Sequence, residues 1–420
     1  MKNHSLIATL KDLRGNPRGC VYTEPLWGIP FNLYSPYVSI YMLALGLTDT
    51  QIGSIVSISW GFQLVLALFS GAVTDKLGRR LTTLIFDIIS WSVPALISAV
   101  AQNYWYFLAA GLVNSFWRIT HTSWSCLLVE DADKDQLVDI YSWIYIANLI
   151  VGFVAPLAGA LIAEYTLVPT VRGLYVFAAI MFTLKAVATY LMTQETQQGV
   201  IRMKETRHQS IFHVLGEYRG IVQAVLRTPQ TLYTAGILLI LSISNVITGN
   251  FWGIIATERL RIPAEHLAFF PFVKSAVTLV FFFFVMPRIS KLHFKIPMSL
   301  GFVGYLISQA LLVLAPTQSY LLLGLSVFME ALCFAAVYPL VDKMFVLTVD
   351  AKERARIQSI LQVGIILVTS PFGWIAGTLS GIDKTLPFAL NMALFAIGAA
   401  LAFIAGNASQ KNPPAETVSP

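Results

Sequence analysis

The sequence predicts an all-α polytopic membrane protein, with twelve transmembrane helices arranged as two pseudo-symmetric six-helix bundles. Three observations carry this reading. Only 12% of the residues are charged and 56% are hydrophobic, whereas a soluble chain carries roughly 25% charged residues. A chain of 420 residues with so little charge cannot cover a water-facing surface. The apolar residues fall into twelve runs, each close to the length of about 20 residues that a spanning helix needs. One long polar stretch, residues 193–230, divides them six and six.

The first six spans are predicted at 20–46, 51–74, 81–101, 104–128, 138–163 and 171–192. The second six are predicted at 231–257, 266–287, 296–315, 319–346, 356–381 and 386–406. Pro36, Pro94, Pro156, Pro271 and Pro371 lie inside these runs, and membrane helices tolerate such breaks because neighbouring groups re-satisfy the freed backbone. An even number of spans puts both termini on one side. Most of the 28 lysines and arginines fall on that side, while the opposite loops hold only Arg172, Arg259, Arg261 and Lys384. Basic loops face the cytoplasm, so both termini are expected there, in a cell (inner) membrane. The predicted organisation is a cytoplasmic N-terminus (1–19), a first bundle (20–192), a linker (193–230), a second bundle (231–406) and a cytoplasmic tail (407–420). The first twenty residues are polar and basic, without the apolar core of a signal peptide.

The net charge of +6 is explained by this orientation, and no nucleic-acid partner is expected. Cys20, Cys126 and Cys333 are far apart and fit neither a disulfide framework nor a metal site. In the linker, Ile211, Phe212, Leu215, Ile221, Val222 and Val225 recur at helical spacing, which predicts an amphipathic helix on the cytoplasmic face. The halves also resemble each other. DKDQLVDIYS (133–142) precedes span five and DAKERARIQS (350–359) precedes span eleven. Such weak internal symmetry is a mark of transporters, whose substrate site lies near the midplane.

Between spans two and three lies GAVTDKLGRR, residues 71–80. An anchor for orientation needs only basic charge, whereas this turn adds an acid and two glycines. It resembles the loop signature G-x-x-x-D-[RK]-x-G-R-[RK] of the major facilitator superfamily, at Gly71, Asp75, Lys76, Gly78, Arg79 and Arg80. The resemblance covers the twelve-helix layout and implies a latch that closes the cytoplasmic side in one conformation. Gly71 is expected to let two helices approach, and Gly78 to permit a turn costly for other residues. Asp75 is expected to accept from the positive N-terminus of a helix in the other half, with span eleven the candidate. Arg79 is expected to pair with the acidic end of span four, at Glu130 and Asp131.

Ionisable groups inside spans default to a functional reading. Glu24 shares one face of span one with Trp27, Gly28, Phe31, Asn32, Ser35 and Ser39, a stripe that suits a cavity wall. Some twelve-helix drug–proton antiporters carry an acid at the matching place, so the resemblance nominates Glu24 for proton coupling; the alternative is an acid ending the helix in water. In span four, Asn114, Arg118, His121 and Ser125 form a stripe flanked by Trp117 and Trp124. It resembles the family's R-x-x-Q-G motif with Gln and Gly replaced. Arg118 can hold an anionic substrate group or pair structurally, and His121 can titrate near neutral pH or stay neutral. In the second half, Glu330 and Lys274 lie at similar depth, so Glu330 is a second proton-coupling candidate and an inert pair is the alternative. Asp87 and Lys185 read as an inert pair behind the cavity. Asn148, Gly152, Pro156 and Gly159 loosely resemble the antiporter motif of span five. Asn245 completes the candidate cavity set of Trp27, Phe31, Asn32, Asn114, Arg118, His121, Trp124, Asn148 and Lys274.

Seven of the nine tryptophans fall in the first half, and aromatic faces stack on sugars and on flat or cationic drugs alike. No phosphate-cradling glycine loop appears, and no nucleophile–base or metal constellation, so an enzyme, a cofactor and an ATP-driven pump are not expected. The favoured reading is proton-coupled export of small amphipathic or drug-like molecules by a monomer in the bilayer. Import of a polar solute such as a sugar or glycoside, coupled to protons or sodium, is the alternative. A lipid-handling or sensor relative of the same fold is the remote one.

Overall fold

A computed structural model describes residues 13–132, 136–206, 229–289, 293–348 and 354–411, and every regular element among them is helical. Ten helical segments are long and apolar enough to cross a membrane, from Asp49–Leu77 to Leu386–Asn407. The remaining two of the twelve apolar runs are each built from two shorter helices. Span one runs as Gly15–Tyr34, a 3₁₀ turn at Ser35–Tyr37, and Val38–Ala44. Pro36 explains the interruption, because its ring has no N–H to donate and fixes φ. Span four runs as Tyr104–Asn114 and Trp117–Val129. At its break Ser115 donates its hydroxyl to the Ser59 carbonyl (3.0 Å) and to the Gly111 carbonyl (2.8 Å).

The described residues group into two compact units. One gathers those within 1–47, 55–216 and 264–272; the other gathers those within 48–54, 217–263 and 273–420. In the first unit, spans one and six pack closely. Thr23 and Thr189 share a hydroxyl hydrogen bond of 2.7 Å, and a Cβ at Gly19 would stand 2.7 Å from Thr193 Cγ2. Small and hydroxylated residues at helix seams are how helices associate where burial from lipid gives no hydrophobic gain. A cluster of buried rings, Tyr34, Tyr41, Phe107, Tyr175 and Phe182, fills one part of the unit.

The second unit has a core of Ile237, Phe302, Tyr305, Val337 and Phe395. Ser308 and Ser326 exchange hydroxyl-to-carbonyl bonds of 2.9 and 2.8 Å across it. Residues 48–54 pack here. The Asp49 carboxylate accepts from Ser380 Oγ (2.5 Å) and Lys384 Nζ (2.6 Å), and a Cβ at Gly53 would meet the Gly373 carbonyl at 2.3 Å. Large apolar side chains such as Leu157, Ile180, Leu191, Leu300 and Leu321 stay exposed, as a lipid-facing band requires.

In the linker, the described helix is Gln197–Thr206. The amphipathic stretch expected from Ile211 to Val225 lies outside the described residues, as do parts of the two related segments at 133–142 and 350–359.

Candidate functional site

Spans one, three, four and six of the first unit line an open pocket of about 170 Å³. Span one contributes Glu24 and Trp27, span three Asp87 and Trp91, span four Trp117, Thr120, His121 and Trp124, and span six Lys185. Span three reaches the cavity through a π-type turn at Ile88–Ser92. Such a turn widens the helix locally and re-aims side chains, and it recurs at functional sites. The Ser90 carbonyl within it accepts from Asn114 Nδ2 at 2.8 Å. Asn114 therefore braces the turn rather than facing a ligand.

The charges of the cavity are unequal. Lys185 Nζ meets Asp87 Oδ2 at 2.5 Å, with both side chains buried. Glu24 is 9% exposed and shares the pocket wall with Asp87 and Lys185. Two carboxylates thus face one ammonium. Four buried polar atoms of the wall have no hydrogen-bond partner among the described residues: Trp27 Nε1, Asp87 Oδ1, Thr120 Oγ1 and Trp124 Nε1. An unmade buried hydrogen bond costs about 1–3 kcal/mol, and all four atoms are sealed from solvent.

The ring geometry is tight. Trp27 stacks on Phe31 (centroids 4.7 Å apart) and stands edge-on to Trp91 (5.1 Å), so Phe31 supports the wall from behind. Trp117 stands edge-on to His121 at 5.6 Å, and Lys185 Nζ lies 5.9 Å from the Trp124 ring centre. Asn32 and Asn148 donate to carbonyls of their own helices, at Gly28 (2.8 Å) and Ile144 (2.9 Å). Arg118 lies one turn before His121, over the Trp117 ring at 4.2 Å, with Nε donating to Gln63 Oε1 at 3.1 Å.

Glu24, Trp27, His121 and Trp124, all named from the sequence, line one pocket. Asp87 and Lys185, set aside as an inert pair, stand on the same wall. Trp91 and Thr120 were not singled out. The spacing of Asp87 and Trp91, an acid and an aromatic one helical turn apart on a span, is the signal that points to them.

The second unit holds a smaller polar site. Lys274 Nζ donates to Glu330 Oε1 at 2.6 Å and lies 5.4 Å from the Phe334 ring centre. Asn245 donates to the Tyr338 hydroxyl. Asn245, Glu330, Gln309 and Tyr338 border free space of about 10 Å³, the room of one water.

The signature turn sits in a dense ionic cluster. Arg79 donates to both Glu130 oxygens at 3.1 Å, through Nε and Nη2, and pairs with Asp75 at 2.9 Å. Asp75 also faces Arg202 of the linker helix at 3.7 Å. Asp131 accepts from Asn16 Nδ2 and from the Gln197 amide, both at 3.3 Å. Arg80 donates to the Tyr190 carbonyl at 2.7 and 2.9 Å and lies over that ring. Gly78 has φ +83°, and a Cβ there would stand 2.6 Å from Glu195 Oε2. Glu195, unforeseen from the sequence, accepts from the Arg79 and Arg80 amides at 2.8 and 3.0 Å and so caps span three. Gly71 corrects the expectation of a close helix approach. A Cβ there would meet nothing within 4 Å, because its helix face points outward.

Comparison with known proteins agrees with this architecture. Curated relatives include the multidrug resistance protein MdtG of Serratia proteamaculans, 25% identical over 356 residues, covering 81% of this chain and 80% of that protein. The MdtG of Rahnella sp. is 22% identical over 402 residues, covering 92% and 90%. Among solved structures, the nucleoside transporter NupG superposes with a TM-score of 0.64 at 15% identity, covering 94% of this chain and 98% of that one. A POT family transporter in complex with a thioalcohol-conjugated peptide superposes with a TM-score of 0.69 at 14% identity, covering 96% and 99%. At such identities these two share the fold. The sequence profile of the Major Facilitator Superfamily matches residues 27–295, most of the chain and all of the first unit's cavity wall beyond Glu24, and the chain belongs to that superfamily.

Proposed function

We propose that the protein is a secondary active transporter, working by alternating access as a monomer in the inner membrane with both termini cytoplasmic, that exports small amphipathic, drug-like molecules in exchange for protons. The observation that carries this reading is a buried carboxylate, Glu24, on the wall of an aromatic pocket where two carboxylates face one ammonium, that of Lys185. Similarity to proteins named for multidrug resistance supports the same direction.

The chemistry follows from charge. Asp87 and Lys185 neutralise each other, and removing one partner of a buried pair costs about 3–5 kcal/mol. Their exchange with solvent is therefore unfavourable. Glu24 has no direct cationic partner among the described residues, so its charge is balanced either by a proton or by a cationic group of a substrate. In a low-dielectric wall one of these excludes the other. Binding of substrate releases the proton and binding of the proton releases substrate, which is exchange. The four tryptophans Trp27, Trp91, Trp117 and Trp124 supply flat faces that accept many rings. We assign the Asp75–Arg79–Glu130 cluster to the cytoplasmic latch on the strength of the signature it belongs to; the partners shown for it, Arg202 included, lie within the first unit and hold the turn in shape.

The test uses proteoliposomes with an acid-loaded lumen and ethidium as probe. Ethidium uptake accompanied by proton efflux supports exchange, and Glu24→Gln is expected to uncouple the two. Proton flow in the same direction as the probe would sink antiport and favour import. Uphill accumulation by Glu24→Gln driven only by the proton gradient would remove Glu24 as carrier.

A further inference from the structure

Glu24, Asp87, His121 and Lys185 are the ionisable side chains that line the pocket of the first unit. Three of them are buried, and His121 is exposed. Asp87 and Lys185 are engaged with each other at 2.5 Å. That leaves one buried acid and one exposed imidazole on the same wall. A carboxylate that is 9% exposed offers little surface to solvent, and a positioned side chain that meets water more freely speeds its proton exchange.

The setting of His121 suits that task. It lies in the helix Trp117–Val129, beyond the break in span four, with its ring edge-on to Trp117 at 5.6 Å. That contact orients the ring, and among the described residues no hydrogen bond holds either nitrogen. One nitrogen is free to take a proton while the other gives one up, as an imidazole does near neutral pH. Glu24, Asp87 and Lys185 share the pocket with it from spans one, three and six, and Arg118 lies one turn before it on its own helix. The charge of Arg118 opposes an imidazolium and that of Glu24 draws its proton on, so the ring passes a proton rather than storing it. The superfamily motif that span four resembles has glutamine at this position. A carboxamide does not shuttle protons near neutral pH, so an imidazole here is a departure of this chain from that pattern.

We infer that His121 is the proton relay of this pocket, carrying protons between solvent and Glu24. The inference rests on the proposed exchange at Glu24 and adds the route by which its proton arrives and leaves. To load Glu24, one ring nitrogen takes a proton from water. The N–H bond at the other nitrogen then breaks, and that proton passes through water in the pocket to the carboxylate. An O–H bond forms on Glu24, and the ring returns to neutrality as its other tautomer. The pocket, at about 170 Å³, has room for several waters. When substrate binds, the same steps run in reverse. His121 thus acts through Glu24 and is a positioning residue for the proton.

The experiment follows ethidium moving down its own gradient across proteoliposomes of the full chain. The pH is equal on both faces, so added imidazole collapses no proton gradient. His121→Ala and His121→Gln are each expected to slow turnover about tenfold or more, with a smaller change in ethidium affinity. Imidazole on both faces is expected to restore much of the rate to His121→Ala, whose shortened side chain leaves room for it, and to do less for His121→Gln and wild type. A slowed His121→Ala that imidazole does not rescue would make His121 structural and overturn the relay. Wild-type speed in either variant, or a loss confined to affinity, would overturn it too. His121→Gln keeps a polar side chain of similar reach and decides the speed test if the alanine variant does not fold. If Glu24→Gln still exchanges ethidium for protons, the export reading fails and the relay with it. If Glu24→Gln uncouples the two while His121→Gln runs at wild-type speed, the relay alone fails.

Discussion

Lys185 keeps its charge inside a bundle only because Asp87 meets it at 2.5 Å, and this sets the cost of changing either. Lys185→Met leaves Asp87 buried and unpaired, with an expected loss of about 3–5 kcal/mol, seen as a markedly lower thermal midpoint in detergent. Asp87→Asn together with Lys185→Met removes both charges and is expected to recover much of it. Recovery fails if the pair is held for its charge rather than its fit. At the turn, Glu195→Ala removes the acceptor for two amides at the start of span three, an expected cost of about 0.5–2 kcal/mol by the same measurement. The sequence displayed the turn's acid, arginines and glycines, because they form a contiguous pattern. It did not display Glu195, whose role arises from tertiary proximity to Gly78, more than a hundred residues away.

At the scale of elements, apolar run length located the spans well, since lipid imposes it directly. It was silent on where a span is interrupted. Pro36 gave a local sign of the break in span one; the break at Ser115 has no proline, and its hydroxyl bonds to two carbonyls are visible only once span two stands beside it. The π-type turn at Ile88–Ser92 is hidden for the same reason, since IISWS carries no helix breaker. Stripe arguments that assume one continuous helix fail at such points, and Asn114 and Arg118 accordingly do different things. Close helix seams make a separate prediction. Gly53→Val sets side-chain carbon against the Gly373 backbone, which cannot swing away as a side chain does. The expected cost of overpacking is about 1–3 kcal/mol, read as a lower midpoint, with Gly61→Val, where nothing lies within 4 Å of the added Cβ, close to wild type.

For the whole molecule, the layout of two halves was legible because the polar linker interrupts the hydropathy pattern. The division of labour among embedded charges was not, because Glu24, Asp87 and Lys185 lie far apart in the chain and acquire their meaning as a group. Asp75→Asn tests the latch at this scale. It is expected to slow turnover about tenfold or less, with probe affinity within about threefold, as the coupling carried by a two-state contact implies. A large affinity loss would place the turn in the binding site instead.

The interrupted spans have one more consequence. Spans one and four both wall the pocket, and each is interrupted along its length, at Ser35–Tyr37 and between Asn114 and Trp117. On the proposed transport reading, such a break is where one segment can tilt while the other stays packed, which would let the pocket adapt to its guest. Chemical series tested against it should therefore show shallow discrimination by outline and steep discrimination by charge placement, the profile of a promiscuous sieve that reads polarity and ignores shape.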